Sequence, residues 1–331
     1  RYDEAIETLN QAIALNANHV NAHNWLHLVY LEQGRYQDGN EQAERVNQID
    51  PLYPAGIGNL AFIYVLFGEP ERIDALVERS LPYLQGDSRT YVEGTRAFSR
   101  SAQLKEAEAV LLTEAMPPGT RPYAGAGAYF SLLGLGEYER ALPYVEGRAS
   151  QMLALVRLGR EEEALQLSRR ALVAGQGVFE TIQVLAELQR WDDVIAFVEE
   201  RFASPDALAQ AHVTQGFGAD ELGHLTSAYR RTAQDAKANE ALAAFRRALE
   251  WQREAGVDNA AYQWSWAHLS MLEGNPDAAL EHLEASIARG YLEDNDFYRH
   301  WVVFQPLQGD PRLDSLILRM NDRRNEQRAL L

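Results

Sequence analysis

Several positions in this chain share one register. Gly34, Gly68 and Gly136 stand at multiples of 34 residues, and Tyr2 and Tyr36 keep the same step. Tyr30, Tyr64 and Phe98 repeat it, as do Ala5, Gly39, Ile73, Ala107 and Ala141. A period of this length, with apolar residues at helical spacing, specifies helix–turn–helix units. Each unit is unable to bury its apolar face without a neighbour. The glycine allows the tight turn between two antiparallel helices. The small residue lets the two backbones approach, and the aromatic fills the wedge between them. Alternating apolar runs bounded by hairpin turns are missing, so the expectation is an all-α stack with almost no strand.

The opening stretch RYDEA returns as GRYQDG at Gly34–Gly39 and as GEYERA at Gly136–Ala141. Later units are looser: LGREEEA, LQRWDDV, NEALAAFRRAL behind an unusually long first helix, and EGNPDAALEHL. The expected organisation is one continuous solenoid. It has regular repeats over 1–147, starting mid-repeat, and degenerate ones over 148–290. An aromatic loop and a capping helix occupy 291–331. Ser204-Pro205, Asn275-Pro276 and Asp310-Pro311 each place a capping side chain before a proline at the first helical position. In the tail, Leu313, Leu316, Ile317 and Met320 share a helix face that should shield the last open face of the stack.

Composition narrows the function. The net charge of −17 argues against broad phosphate contact, so no direct nucleic-acid partner is expected. The absence of cysteine removes disulfides, thiolate zinc sites and cysteine nucleophiles. No run reaches the roughly 18 apolar residues of a membrane span.

Catalytic constellations do not assemble. His19, His23 and His27 are spaced by four, which puts His23 and His27 on one helix face. The HExxH glutamate and a distant ligand set are absent, so packed or exposed histidines are the expectation. The glycine pairs of GAGAYF, GQGVFE and GFGADELG do not complete a dinucleotide fingerprint. The acidic runs Asp192-Asp193 and Glu161 to Glu163 sit at starts of second helices, where they favour the positive helix end. The expectation is a non-enzyme with no metal and no cofactor.

The register, with Gly34, Tyr36, Gly39, Gly136, Tyr138, Ala141 and the closing Pro51, resembles the tetratricopeptide repeat (TPR) family. That resemblance implies a right-handed superhelical solenoid of antiparallel helix pairs, whose concave groove holds a protein or peptide. Carrying the family's groove positions over gives Asn24, Trp25 and Leu28, then Asn59 and Phe62, then Arg89, Arg96 and Arg100. Tyr123, Phe130, Trp264 and His268 follow. Three arginines on one wall are suited to a carboxylate. Asn59 and Arg89 match the carboxylate clamp of some relatives, whereas Asn24, Leu28 and Glu93 depart from it. Trp266 maps to a core position and Trp264 to the groove; packing of Trp264 against a cap supplied by Phe297, Trp301 and Phe304 is equally open.

The tail segment with Pro306, Leu307, Gly309, Asp310, Pro311, Arg312, Leu316 and Met320 resembles one in larger bacterial signalling proteins. Those carry a winged-helix DNA-binding domain or a nucleotide cyclase upstream. The resemblance implies an interaction module that is the sensory or regulatory part of such a protein, with the first helix of the opening repeat lying upstream. The alternative is a sensor for a small molecule or short peptide that relays binding to an N-terminal output domain. An enclosed aromatic pocket near Trp264 and Tyr262 would favour the sensor, and an open groove spanning several repeats the peptide binder. An upstream membrane helix would place the chain outside the cytoplasm; otherwise it is cytoplasmic.

Overall fold

The 34-residue step becomes paired helices. The computed structural model describes residues 2–116, 121–212, 218–291 and 301–331, with backbone alone for 121–126 and 212. The helices are α1 (Tyr2–Leu15), α2 (Val20–Glu32), α3 (Tyr36–Ile49), α4 (Pro54–Leu66), α5 (Arg72–Ser80), α6 (Gly86–Ala102) and α7 (Glu106–Glu114). They continue as α8 (Arg121–Leu135), α9 (Tyr138–Ala141), α10 (Gln151–Arg157), α11 (Glu161–Val173), α12 (Val178–Glu187) and α13 (Trp191–Arg201). Then come α14 (Pro205–His212), α15 (Asp220–Arg231), α16 (Asp235–Glu254), α17 (Ala260–Leu272), α18 (Pro276–Ala288) and α19 (Pro311–Arg328). Among the described residues there is no strand, and the architecture is an all-α helical-repeat solenoid.

The register explains the pairing. Gly34, Gly68 and Gly136 all adopt positive φ, at 70°, 74° and 74°. Each ends one helix so that the next can return along it. Tyr36, Gly39, Ile73, Ala107 and Ala141 are buried where second helices meet first helices. First helices also pack on one another along the stack, α4 on α6, α6 on α8, α12 on α15 and α15 on α17. The α6–α8 approach is close because α8 carries Gly127, where a Cβ would come within 2.8 Å of the Ala97 backbone.

The third repeat departs from the register. Its turn residue is Leu104 at φ 67°, two positions past the glycine step. Phe98 consequently turns to the inner face, whereas Tyr30 and Tyr64 are buried. The long helix expected before NEALAAFRRAL is also relocated. The first helix of that unit, α15, has 12 residues, and the long element is the second, α16, with 20. The proline caps form as the sequence indicates. Ser204 accepts from Ala207 N–H, Asn275 from Ala278 N–H and Asp310 from Arg312 N–H.

The stack does not stay open. One core joins Leu31, Tyr36, Ile63 and Leu66 of the early repeats to Phe245, Leu249, Leu269 and Leu272 of the late ones. The Tyr36 ring meets Trp251 edge-on at 5.4 Å, and Gln37 Nε2 donates to the Ala255 carbonyl at 3.3 Å. The C-terminal helix covers the last pair, with Leu313, Leu316 and Met320 packed around Trp264 and Leu283. It also runs back to α7 and α8. Gln327 Oε1 accepts the Ala107 N–H at 3.0 Å, Arg324 Nε donates to the Gly134 carbonyl at 3.1 Å, and Arg323 pairs with Glu106. The expected cap is therefore also a clasp between the two halves.

Candidate functional site

Because the stack curves back on itself, the inner faces of the first helices line one chamber that stays partly open to solvent. Its volume is about 920 Å³. Val65 of α4, Phe98 of α6 and Phe130 of α8 line one side, with Arg157 of α10 and Glu187 of α12 beyond them. Glu221 and His224 of α15, Trp264 of α17, and Tyr291 and Trp301 beside the cap complete it. The size falls within the range of small-molecule sites. The aromatic wall is ordered by its own contacts. Trp264 stacks on Tyr291 at 4.3 Å between ring centres, and Trp301 lies edge-on to Trp264 at 5.2 Å.

The chamber is also charged. Arg157 and Glu187 pair at 3.3 Å with side chains only 7% and 1% exposed, and Gln183 Nε2 donates to the same carboxylate at 3.1 Å. Asp220 accepts from the Ser265 hydroxyl at 2.7 Å and holds His268 Nδ1 at 2.9 Å. His224 packs against both Trp301 and His268, with ring centres at 5.0 and 5.4 Å, and those two rings also meet at 5.5 Å. Burial, with His268 adding to it, holds the His224 imidazole well below its usual range, so it is neutral at pH 7. His224 and Trp301 also line a second cavity of about 300 Å³, bounded by Trp191, Arg230 and Arg231.

The groove residues carried over from sequence are not brought together. Asn59 Nδ2 donates to Asn24 Oδ1 at 2.9 Å, so these two amides tie α2 to α4. Leu28 and Phe62 are half-buried, and Trp25 is 58% exposed without lining the chamber. The arginine wall is corrected. Arg89 is exposed, pairing with Glu93 at 2.9 Å and donating to the Leu81 carbonyl. Arg96 is half-buried. Arg100 is buried between helices, bound to Asp74 at 2.7 Å and Glu108 at 2.9 Å. Its charge is committed to holding α5, α6 and α7 together. Burial alone would push Asp74 up, but hydrogen bonds from Arg100, Gln103 and Ser99 hold it below its usual value.

Phe130 does face the chamber. The Tyr123 side chain lies outside the described residues, as does Phe297. Of the two readings of Trp264, open-groove anchor or packing against the cap, the structure shows the second and not the first. Trp264 is 1% exposed because Trp301, Phe304 and the clasp helix cover it, and His268 is buried with it. Trp266, expected in the core, is half-buried and stacks on His282.

The histidine run serves packing. His19 caps α2 by accepting from Ala22 N–H. His23 bonds Gln42 and the Ala17 carbonyl, and His27 bonds the Gly39 carbonyl across the small-residue contact. Among the described residues no group of three or more His, Asp or Glu is placed to hold a metal.

Sequence reasoning missed Glu106, Arg157, Glu187, Glu221 and His224, and named Trp301 only as part of the cap. A signal was present in VLAELQ, where Glu187 directly follows the apolar run Val184, Leu185 and Ala186. A carboxylate that continues an apolar run is either solvated at the helix end or buried with a partner. Only the return of the chain shows which.

Comparison with known proteins gives one family match. Residues 1–34 match the family model described as TPR repeat. The match spans one period of the register found over the first half of the chain. No curated protein matches the chain significantly. Among solved structures, the human IFIT1 dimer with PPP-AAAA is similar at 14% identity, with TM-score 0.42, covering 98% of this chain and 84% of that one. A monomeric IFIT1 mutant with Gppp-AAAA gives the same identity and score, covering 98% and 85%. Naa15/Naa10 bound to HypK-THB is similar at 14% identity and TM-score 0.31, covering 95% and 54%.

Proposed function

We propose that this chain is a non-catalytic ligand-binding module in which a small molecule or short peptide occupies the central chamber. The observation that carries this reading is that many repeats share one concave space. First helices from α4 to α17 contribute to one cavity with an aromatic wall, and the end of α4 bonds the turn that leads into α17. A ligand there contacts several repeats at once and favours the closed arrangement over any more open one, which is how a binding event becomes a change of shape. The clasp helix contacts the chamber's far wall at Gly134 and Glu106, giving that change a route to the chain's surface. The tail residues from Pro306 to Met320 support the sensory or regulatory part of a larger bacterial signalling or transcription-regulatory protein as its setting.

The test is a metabolite and short-peptide library screened by thermal shift. Wild type is compared with two chamber-filling variants, Ala102→Trp and Ala261→Trp, each checked for helical content by circular dichroism. Ligands that stabilise wild type and neither variant uphold the reading. A screen in which hits stabilise all three equally overturns it. A second reading, a protein or peptide bound outside the chamber, is favoured by the exposed Trp25 on α2. In that case both filling variants bind normally and Trp25→Ala does not.

A further inference from the structure

The chamber wall has an excess of negative charge. Among its lining residues, Glu71, Glu106, Glu187, Asp220, Glu221 and Asp258 are carboxylates, against the two guanidinium groups of Arg157 and Arg289. Both arginines are already engaged, Arg157 with Glu187 and Arg289 with Asp258 at 2.8 Å. Arg323 approaches Glu106 from the clasp helix. In a partly shielded cavity this imbalance is screened less than it would be on an open surface.

Buried polar atoms without partners mark the same space. Glu106 is 3% exposed, and its Oε2 has no hydrogen-bond partner among the described residues while Oε1 meets Arg323. His224 is 5% and Trp301 4% exposed, and His224 Nε2 and Trp301 Nε1 likewise lack partners. All three residues line the chamber. A buried polar atom left unmade is unfavourable, so these atoms are placed for something that enters. Glu106 offers an acceptor beside a carboxylate-rich wall. Trp301 offers a donor, and neutral His224 either role. The faces and edges of Phe98, Phe130, Trp264 and Tyr291 complete the wall, and aromatic faces attract cations.

We infer that the chamber selects a small organic cation, a protonated amine held by the carboxylates and the aromatic wall. Any acceptor oxygen on the same molecule is taken by Trp301 and His224. This rests on the chamber reading above and goes further by fixing the sign of the ligand's charge. It excludes phosphorylated and carboxylate-only ligands of the same size.

The test is isothermal titration calorimetry on the full chain with tyramine, spermidine, N-acetyltyramine and 4-hydroxyphenylacetate. The expected result is that at least one amine binds about tenfold or more tightly than the neutral and anionic analogues. Binding is expected to weaken about tenfold in Glu221→Gln and in Glu106→Gln, and to vanish in Ala102→Trp and Ala261→Trp. Two glutamate variants are used because Glu106 also bonds Arg323, and Glu221→Gln leaves that contact in place. If 4-hydroxyphenylacetate binds as tightly as tyramine and the filling variants block it, the charge assignment is overturned and the chamber stands. If neither amine binds, the assignment is overturned again, and the library screen decides separately whether the chamber holds anything.

Discussion

The backbone N–H of Asp258 donates to the carbonyl oxygen of Leu66 at 3.1 Å, and Asn259 Nδ2 reaches the same oxygen at 3.5 Å across a sequence separation of 193 residues. Leu66 ends α4, and its carbonyl is among those a helix leaves without an internal partner. The late half of the chain supplies the missing donor. Gly68, two residues on, lets the strands of chain pass, since a Cβ there would overlap the Asp258 carbonyl.

Gly68→Ala therefore meets two penalties. At φ 74° an L side chain costs about 1–2 kcal/mol, and the overlap with Asp258 adds about 1–3 kcal/mol. Gly159 has φ 71° with open space around it, so Gly159→Ala meets the first penalty alone. Urea unfolding of the two variants measures the difference. Equal losses would show that closure at Asp258 contributes nothing to stability.

The Glu106–Arg323 pair holds the clasp. The side chains are 4% and 17% exposed, and burial lowers the Arg323 guanidinium to about 10. Glu106→Ala leaves that cation buried and destabilises by about 3 kcal/mol. Glu106→Ala with Arg323→Leu recovers part of the loss, since neither charge is then stranded. A double-mutant cycle reads the coupling, and strict additivity would mean the two side chains act independently.

Acid should weaken the fold through its buried histidines. Burial is the first cause of the lowered values of His27, His224 and His282. The unfolded chain takes up these protons first, at about 6.5. Stability is thus full above that pH and falls as pH drops toward the folded values, by about 1.4 kcal/mol per unit of difference for each histidine. His224→Phe removes one contribution, so its melting temperature should fall less between pH 7 and pH 5 than that of wild type. An unchanged slope would mean His224 is protonated in the fold.

Arg100 and Arg89 separate structure from surface. Arg100→Ala breaks charged hydrogen bonds to Asp74 and Glu108 and should cost about 2 kcal/mol. Arg89→Glu, on an exposed pair, should stay within about 0.5 kcal/mol. Chemical denaturation midpoints distinguish them, and a larger loss for Arg89→Glu would place the important contact at the exposed end of α6.

The sequence by itself determined the helices, their turns and their caps. Those features depend on residues close along the chain: Gly34 and Gly136 at positive φ, Tyr36 in its wedge, Asn275 and Asp310 before their prolines. Even there Leu104 escaped, because that repeat has no glycine at its turn and a leucine does not announce a positive φ. The tertiary structure decided where the site lies. Whether Trp264 is an exposed anchor or a buried wall, and whether Arg100 faces a ligand or Asp74, depends on which distant helices arrive beside it. Small rotations between successive helix pairs, added along the stack, brought Asp258 to Leu66 and Arg323 to Glu106. No short stretch of sequence carries that sum.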